Sequence, residues 1–212
     1  MPPVVCIIAD DMTGAGDAGI QYKKAGHSVF LSLHPEHIDL LNDTDVIIIN
    51  SNSRFMNPRE AYLAIYNSVN TCRKAGITRF YKQIDSTMRG NVKEEIDAIL
   101  DAADYKAAVI SPSAPRNSRT VRNGFCFVGE RMIHETDAGN DPFNPVLSSF
   151  IPDHFKAGEG ETVLLGLDDL HDGAVELSER INSLINGGAR YIVCDAETTG
   201  DLESIAGLSV LD

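Results

Sequence analysis

The residues able to do chemistry gather where apolar runs end. Asp10 and Asp11 close the run Val4–Ala9 and lead into Met12-Thr13-Gly14-Ala15-Gly16-Asp17. Adjacent carboxylates at such a turn can bind a sugar hydroxyl, take its proton, or hold a hydrated Mg2+. Gly14 and Gly16 let backbone approach a ligand closely, and the N-terminus of the helix that follows favours negative charge. Asp85-Ser86-Thr87-Met88-Arg89-Gly90-Asn91 follows the β-prone run Arg79–Ile84, so one strand-to-helix turn offers a carboxylate, two hydroxyls, a guanidinium and free helix N–H groups. Ser53 and Arg54 follow another run, Lys82 lies within a fourth, and Arg116, Ser118 and Arg119 follow a fifth. Each of these alone reads as a loop residue with local hydrogen bonds. Jointly they place four or five cations around one sheet edge in an acidic chain. Arginine grips a carboxylate through two parallel N–H bonds. Carboxylates for hydroxyls and arginines for an anion together describe a polyhydroxy acid or a sugar phosphate.

Elements that position these residues alternate along the chain. Strands are expected at Val4–Ala9, His27–Leu33, Asp45–Asn50, Arg79–Ile84 and Ala107–Ile110. Continuous apolar runs of this kind suit strands covered on both faces. Helices are expected at Ala18–Ala25, stopped by Gly26, at Pro58–Lys74, closed by Gly76, and at Val92–Ala103. Asn91 is placed to cap the last of these, with Glu94 three residues on. Then the pattern changes. Phe125–Val128, Gly129-Glu130 and Arg131–Ile133 read as a β-hairpin, and 137–155, with Pro142, Pro145 and Pro152, as loop with a short helix. Beyond a surface turn at 158–161, two βα units follow: Thr162–Leu167 with a helix at Ala174–Ile185, and Arg190–Ala196 with a helix from near Asp201. This alternation calls for an α/β fold, a doubly wound, mainly parallel sheet with helices on both faces and a β-hairpin insertion. In such a sheet ligands bind at the carboxyl ends of the strands.

The chain has 212 residues, 43% hydrophobic and 23% charged, enough for a substantial α/β core. Its net charge of −13 argues against nucleic acid and anionic membranes, and no apolar run approaches the roughly 20 residues that span a bilayer. Cys6, Cys72, Cys126 and Cys194 form no Cys-x-x-Cys pair, which suits a reduced, cytoplasmic protein without zinc. His27, His34, His37, His134, His154 and His171 lack metal-ligand spacing and read as surface or hydrogen-bonded histidines. Asp168-Asp169 reads as an acidic loop, and Glu176, Glu179 and Arg180 as a solvated helix face. Gly14-Ala15-Gly16-Asp17-Ala18-Gly19 fits the dinucleotide spacing, but Asp10, Asp11 and Asp17 would crowd a pyrophosphate with like charge. No G-x-x-x-x-G-K-[ST] phosphate loop occurs.

Longer motifs carry a family resemblance. Ile8-Ala9-Asp10-Asp11-Met12-Thr13-Gly14-Ala15-Gly16-Asp17 resembles the I-A-D-D-L-T-G-A-x-D opening of the four-carbon acid sugar kinases. Ser51-Asn52-Ser53-Arg54 is similar to that family's T-x-S-R, and Tyr81–Asn91 to its Y-K-K-I-D-S-T-L-R-G-N. Pro112–Thr120 is similar to its P-A-x-P-x-x-x-R-T segment, and Asp141-Pro142 to its D-P element. The departure lies at Ser51 and Asn52, where the family has Thr and Asp.

The resemblance implies an ATP-dependent kinase that phosphorylates the terminal hydroxyl of threonate, erythronate or a 3-oxo-tetronate. It implies two domains: residues 1–212 as the N-terminal substrate-binding domain, and a C-terminal nucleotide-binding domain absent from this chain. ATP and Mg2+ are implied for the full-length enzyme, the fragment alone being inactive. Partners are then a small-molecule sugar acid and the chain's own C-terminal domain, with no nucleic acid and no membrane; a homodimer is compatible with the reading. Carried onto this sequence, Asp11 and Asp85 take catalytic roles. Asp10, Thr13, Gly14, Asp17, Ser53, Arg54, Lys82, Ser86, Arg89, Gly90 and Arg119 take substrate-binding ones, and no residue is assigned a metal. The Gly14-Ala15-Gly16-Asp17 stretch also resembles the G-A-G-D of ribokinase-like sugar kinases, where the motif comes late in the chain and not on the first βα turn. A non-catalytic sugar-acid binding or sensing domain is the alternative.

Overall fold

The computed structural model describes residues 4–33, 43–156, 158, 160–171 and 173–208. His34, His37, Glu159 of the expected surface turn and the last four residues lie outside them. The chain divides into two compact units, one of residues 1–85 and 90–105, the other of residues 86–89 and 106–212.

In the first unit, β1 (Val5–Ala9), α1 (Met12–Lys24), β2 (Val29–Ser32), β3 (Val46–Asn50), α2 (Pro58–Lys74), β4 (Phe80–Gln83) and α3 (Val92–Ala103) follow in order. The strands form a parallel sheet in the order β2-β3-β1-β4, with Ile7 of β1 opposite Ile48 of β3 and Tyr81 of β4. Successive side chains of a strand point to opposite faces. Cys6 and Ile8 accordingly join Ile47 and Ile49 against Ile65, Val69 and Cys72 of α2 and Ala98 and Ile99 of α3. Ile7 and Ala9 join Val46 and Ile48 against Ala15 and Tyr22 of α1. Helices therefore cover both faces, which is why these strands read as unbroken apolar runs. It also fixes where a ligand can bind. β1 and β3 are neighbours, but the chain leaves β1 for α1 on one face and β3 for α2 on the other. Their carboxyl ends thus frame a topological switch point, the crevice where open α/β sheets bind ligands.

Two expectations need correction here. Helix α1 begins at Met12, six residues before the expected Ala18, so Gly14, Gly16 and Asp17 are helical and not part of a glycine-rich loop. The cause is Asp11, whose side chain accepts the Gly14 N–H at 2.7 Å and caps the helix. Gly14 serves packing: a Cβ there would lie 2.1 Å from Gln83 Oε1. Asn91 occupies the N-cap position of α3 but makes no side-chain cap; its amide donates instead to the carbonyls of Ser53 and Met56.

The second unit contains β5 (Ala108–Ile110), β6 (Arg119–Arg122), β7 (Phe125–Val128), β8 (Arg131–Met132), β9 (Thr162–Leu165), α4 (Leu167–His171), α5 (Ala174–Asn186), β10 (Tyr191–Cys194) and α6 (Thr199–Gly207). Parallel strands in the order β5-β10-β9 form one sheet, and antiparallel β6-β7-β8 another. Leu165, Ile192 and Cys194 pack against Leu170 of α4, Leu177 and Ile181 of α5 and Ile205 of α6. The parallel α/β architecture is thus present, with its strands divided between two sheets: β5 pairs with β10, not with an earlier strand. The expected hairpin of β7 and β8 is there and gains β6 through the turn Asn123-Gly124, whose φ values of 50° and 76° suit a type I′ turn. Asp168 and Asp169, expected in a loop, lie in the first turn of α4.

Candidate functional site

At the switch point, Arg54, beyond β3, reaches two carboxylates beyond β1. Its Nε donates to Asp10 Oδ2 at 2.7 Å and its Nη2 to Asp10 Oδ1 at 3.0 Å, a two-pronged grip. Its Nη1 lies 2.6 Å from Asp11 Oδ2. Burial alone would push the Arg54 pKa down, but the hydrogen bond and charge of Asp10, with the charges of Asp85 and Asp11, outweigh it and hold the pKa above its usual value. Asp10 is 2% exposed and Arg54 8%, whereas the Asp11 side chain keeps 24%. Gly90 closes one side of this cluster. Its φ is +92°, and a Cβ there would sit 3.2 Å from Arg54 Cγ and 3.3 Å from Asp10 Oδ2. Two carboxylates share one guanidinium, and this net negative charge suits hydrogen-bond donors such as sugar hydroxyls.

Beneath the cluster lies a second polar group. Glu95 of α3, 1% exposed, accepts from Ser53 Oγ at 2.5 Å and pairs with Lys82 Nζ at 2.8 Å. Ser53 is fully buried and the Lys82 side chain is 7% exposed, so both stand behind the site and not on its surface. Of the cations expected at this sheet edge, Arg54 and Lys82 each sit against a buried carboxylate, Asp10 and Glu95. Thr13 and Asp17 are exposed on α1, Gly14 is buried against Gln83, and Asp85 is half-buried.

Ser86, Arg89 and Arg119 belong to the second unit. There, Arg89 Nη1 lies 3.6 Å from Asp141 Oδ2, with a third of the Arg89 side chain exposed. The Asp141 carboxyl is held below its usual range, first by the N–H groups of Asn144 and Phe143 and then by Arg89. Met88, beside Arg89, is 3% exposed yet has φ +61°, a left-handed conformation costing roughly 1–2 kcal/mol for a residue with a Cβ. Arg119 Nη1 donates to the Asn117 carbonyl at 2.7 Å, and Arg116 and Ser118 are exposed.

Glu95 and Gln83 escaped the sequence reading. Glu95 carried a usable signal, a carboxylate on the stripe of α3 that buries Val92, Ile96 and Ile99. Gln83 carried none, because its role is to fill the space that Gly14 leaves.

A divalent cation does not fit this arrangement. Both Asp10 oxygens face Arg54, and Asp11 contacts Arg54 as well as the Gly14 N–H, so the guanidinium charge opposes a second cation there. Among the described residues no three His, Cys, Asp or Glu side chains cluster to hold a metal, and no helix is long and apolar enough to cross a membrane.

Residues 5–211 match the family model described as a sugar-binding N-terminal domain. A D-threonate kinase from Bordetella bronchiseptica is 34% identical over 209 residues, covering 96% of this chain and 49% of that protein. A D-erythronate kinase from Heliobacterium modesticaldum is 34% identical over 219 residues, covering 98% of this chain and 49% of that protein. A crystal structure of a domain of unknown function from Bordetella bronchiseptica, a domain-swapped dimer with bound citrate, superimposes with a TM-score of 0.88 at 33% identity, covering 100% of this chain and 53% of that one. The chain spans about half the length of the curated relatives it matches.

Proposed function

The chain belongs to the sugar-binding N-terminal domain family, and from that premise we propose that it is the sugar-acid-binding part of an ATP-dependent kinase. The substrate is a four-carbon sugar acid (threonate, erythronate or 3-oxo-tetronate), phosphorylated at its terminal hydroxyl. The observation that carries this reading is the cluster of Asp10, Arg54 and Asp11 at the switch point, with Asp11 left partly open. Asp11 accepts a substrate hydroxyl, and Asp11 or Asp85 takes its proton as phosphoryl transfer proceeds. Asp10 and Arg54 hold Asp11 in place, so catalysis here is mostly positioning. Thr13 and Asp17, exposed on α1, offer further polar contacts beside Asp11. The names of the threonate and erythronate kinases support the substrate class, and citrate in the Bordetella structure is likewise a hydroxylated carboxylic acid.

ATP and Mg2+ belong, in this reading, to a nucleotide-binding half outside this chain, because Asp10 and Asp11 already share the Arg54 guanidinium, whose charge opposes a metal cation. A cytoplasmic location suits such an enzyme and its four buried cysteine thiols. Self-association as a homodimer follows the Bordetella relative. The second reading is a sugar-acid sensing domain, favoured by the lack of a phosphate loop in the sequence. Titration calorimetry of the 212-residue chain with threonate and with ATP separately tests the assignment. Heat with threonate and none with ATP is expected, together with no ATP-dependent phosphorylation of threonate by the chain alone. Turnover by these residues on their own would overturn the division of labour, and phosphorylation on adding the second half of a related kinase would separate kinase from sensor.

A further inference from the structure

We propose that Glu95 is a positioning residue that keeps Arg54 between Asp10 and Asp11; the proposal rests on the reading of that cluster as the sugar-acid site. Glu95 lies on the buried face of α3 and joins the ends of β3 and β4. Its Oε1 accepts from Ser53 Oγ, beyond β3, at 2.5 Å, and its Oε2 meets Lys82 Nζ of β4 at 2.8 Å. Ser53 Oγ lies 2.8 Å from Ser51 Oγ, and the Ser51 hydroxyl donates to the carbonyl of Ala9, the last residue of β1 and the one before Asp10. The Lys82 ammonium also donates to the Gln83 carbonyl at 2.6 Å. From the start of the same helix, Asn91 donates to the Ser53 carbonyl at 2.9 Å. Ser53 is thus held by its side chain and by its backbone, and Arg54 is the next residue.

That arrangement fixes where the Arg54 side chain starts, and its guanidinium then spans both carboxylates. Stability alone gives a weak reason for this design. Buried ion pairs can often be replaced by apolar residues of similar volume without loss of stability, and their best-attested use is to fix one arrangement of the groups around them. The carboxylate of Glu95 has no exposed face with which to touch a substrate, so its influence passes through Ser53 and Arg54.

The test compares Glu95→Gln, the double variant Glu95→Gln with Lys82→Met, and Ser53→Ala in the 212-residue chain. The double variant removes both buried charges and Ser53→Ala removes a single hydroxyl, so the test does not depend on Glu95→Gln folding. Two readouts are taken well below the melting temperature: the NMR signal of the Arg54 Nε–H, which donates to Asp10, and the affinity for threonate. All folded variants should shift or broaden the Arg54 signal and bind threonate roughly tenfold more weakly, a coupling typical of residues in one hydrogen-bond network. A folded double variant and Ser53→Ala that both leave the Arg54 signal and the affinity unchanged would show Glu95 to be structural only and end the proposal. Should the unsubstituted chain bind no threonate, the sugar-acid reading fails, while the Arg54 signal still decides whether Glu95 positions it.

Discussion

Two parallel sheets in this chain each have a strand that ends in a buried aspartate, and the two aspartates have different fates. Asp10 follows β1 and Asp195 follows β10, both 2% exposed. Asp10 is met by a guanidinium that also holds Asp11, and Asp11 remains partly open. Asp195 is met by the backbone N–H groups of Asn123 at 2.7 Å and Gly124 at 2.8 Å, the turn of the β6–β7 hairpin. The first arrangement builds a polar surface; the second closes one with chain. A strand-end carboxylate therefore says little by itself. What faces it decides whether the strand end is a site or a staple.

Breaking the partner of each aspartate should separate the two. Arg54→Met leaves two carboxylates without their cation, one of them buried, and should cost about 3–5 kcal/mol of stability as well as sugar-acid binding. Asp195→Asn keeps the shape and one acceptor for the hairpin turn, so about 1–3 kcal/mol is expected, with binding intact. Urea unfolding and calorimetry on both variants check this; equal loss of binding in the two would dissolve the distinction.

A matched pair of glycines sharpens it further. Gly90→Ala forces φ +92° on a residue whose Cβ would crowd Arg54 and Asp10. Gly124→Ala forces φ +76° and brings a Cβ to 2.7 Å from Phe150 Cε2. Each should lose roughly 1–2 kcal/mol to the left-handed backbone alone. Gly90→Ala alone should weaken threonate binding, and a calorimetric titration in which Gly124→Ala weakens it as much would count against the site assignment.

The smallest effect concerns pH. Burial raises the Asp195 pKa, the Gly124 and Asn123 N–H groups partly counter it, and the charge of Asp169 adds to the rise. A raised value means that the folded chain binds this proton more tightly than the unfolded chain. The stability it contributes is complete below the unfolded value, about 3.9, and is lost as pH rises through the folded one. Asp195→Asn should flatten the fall in stability across that window. An unchanged slope in denaturation midpoints against pH would refute the assignment.

The sequence made the strand and helix series legible because it rests on apolar runs buried on both faces, such as Val46–Asn50, and on strong stops such as Gly76. It misplaced the start of α1 because glycines at 14 and 16 argue for a loop, whereas the Asp11 cap and the packing of Gln83 against Gly14 win. It passed over β6 although Asn123-Gly124 between Thr120-Val121-Arg122 and Phe125-Cys126 is a strong local hairpin signal. Of the site, Asp10, Asp11 and Arg54 were named, but the sharing of Arg54 by the two carboxylates was not. That depends on β1 and β3 being neighbours, a pairing 41 residues apart between Val5 and Val46 that no local pattern encodes. Arg54 and Lys82 also serve as counter-charges to the buried carboxylates of Asp10 and Glu95, which no local pattern showed.

The division of roles between the adjacent aspartates is the centre of this account, and threonate affinity in Asp11→Asn and Asp10→Asn measures it directly. Asp11→Asn should weaken binding by about 1.5–3 kcal/mol, the range for a hydrogen bond to a charged group, with little change in unfolding. Asp10→Asn should chiefly lower the unfolding midpoint, because it loosens the grip on Arg54, and should cost less affinity in the folded protein. Unaltered threonate binding by Asp11→Asn, or a greater loss in a folded Asp10→Asn, would contradict the assignment of Asp11 as the residue that meets the substrate hydroxyl.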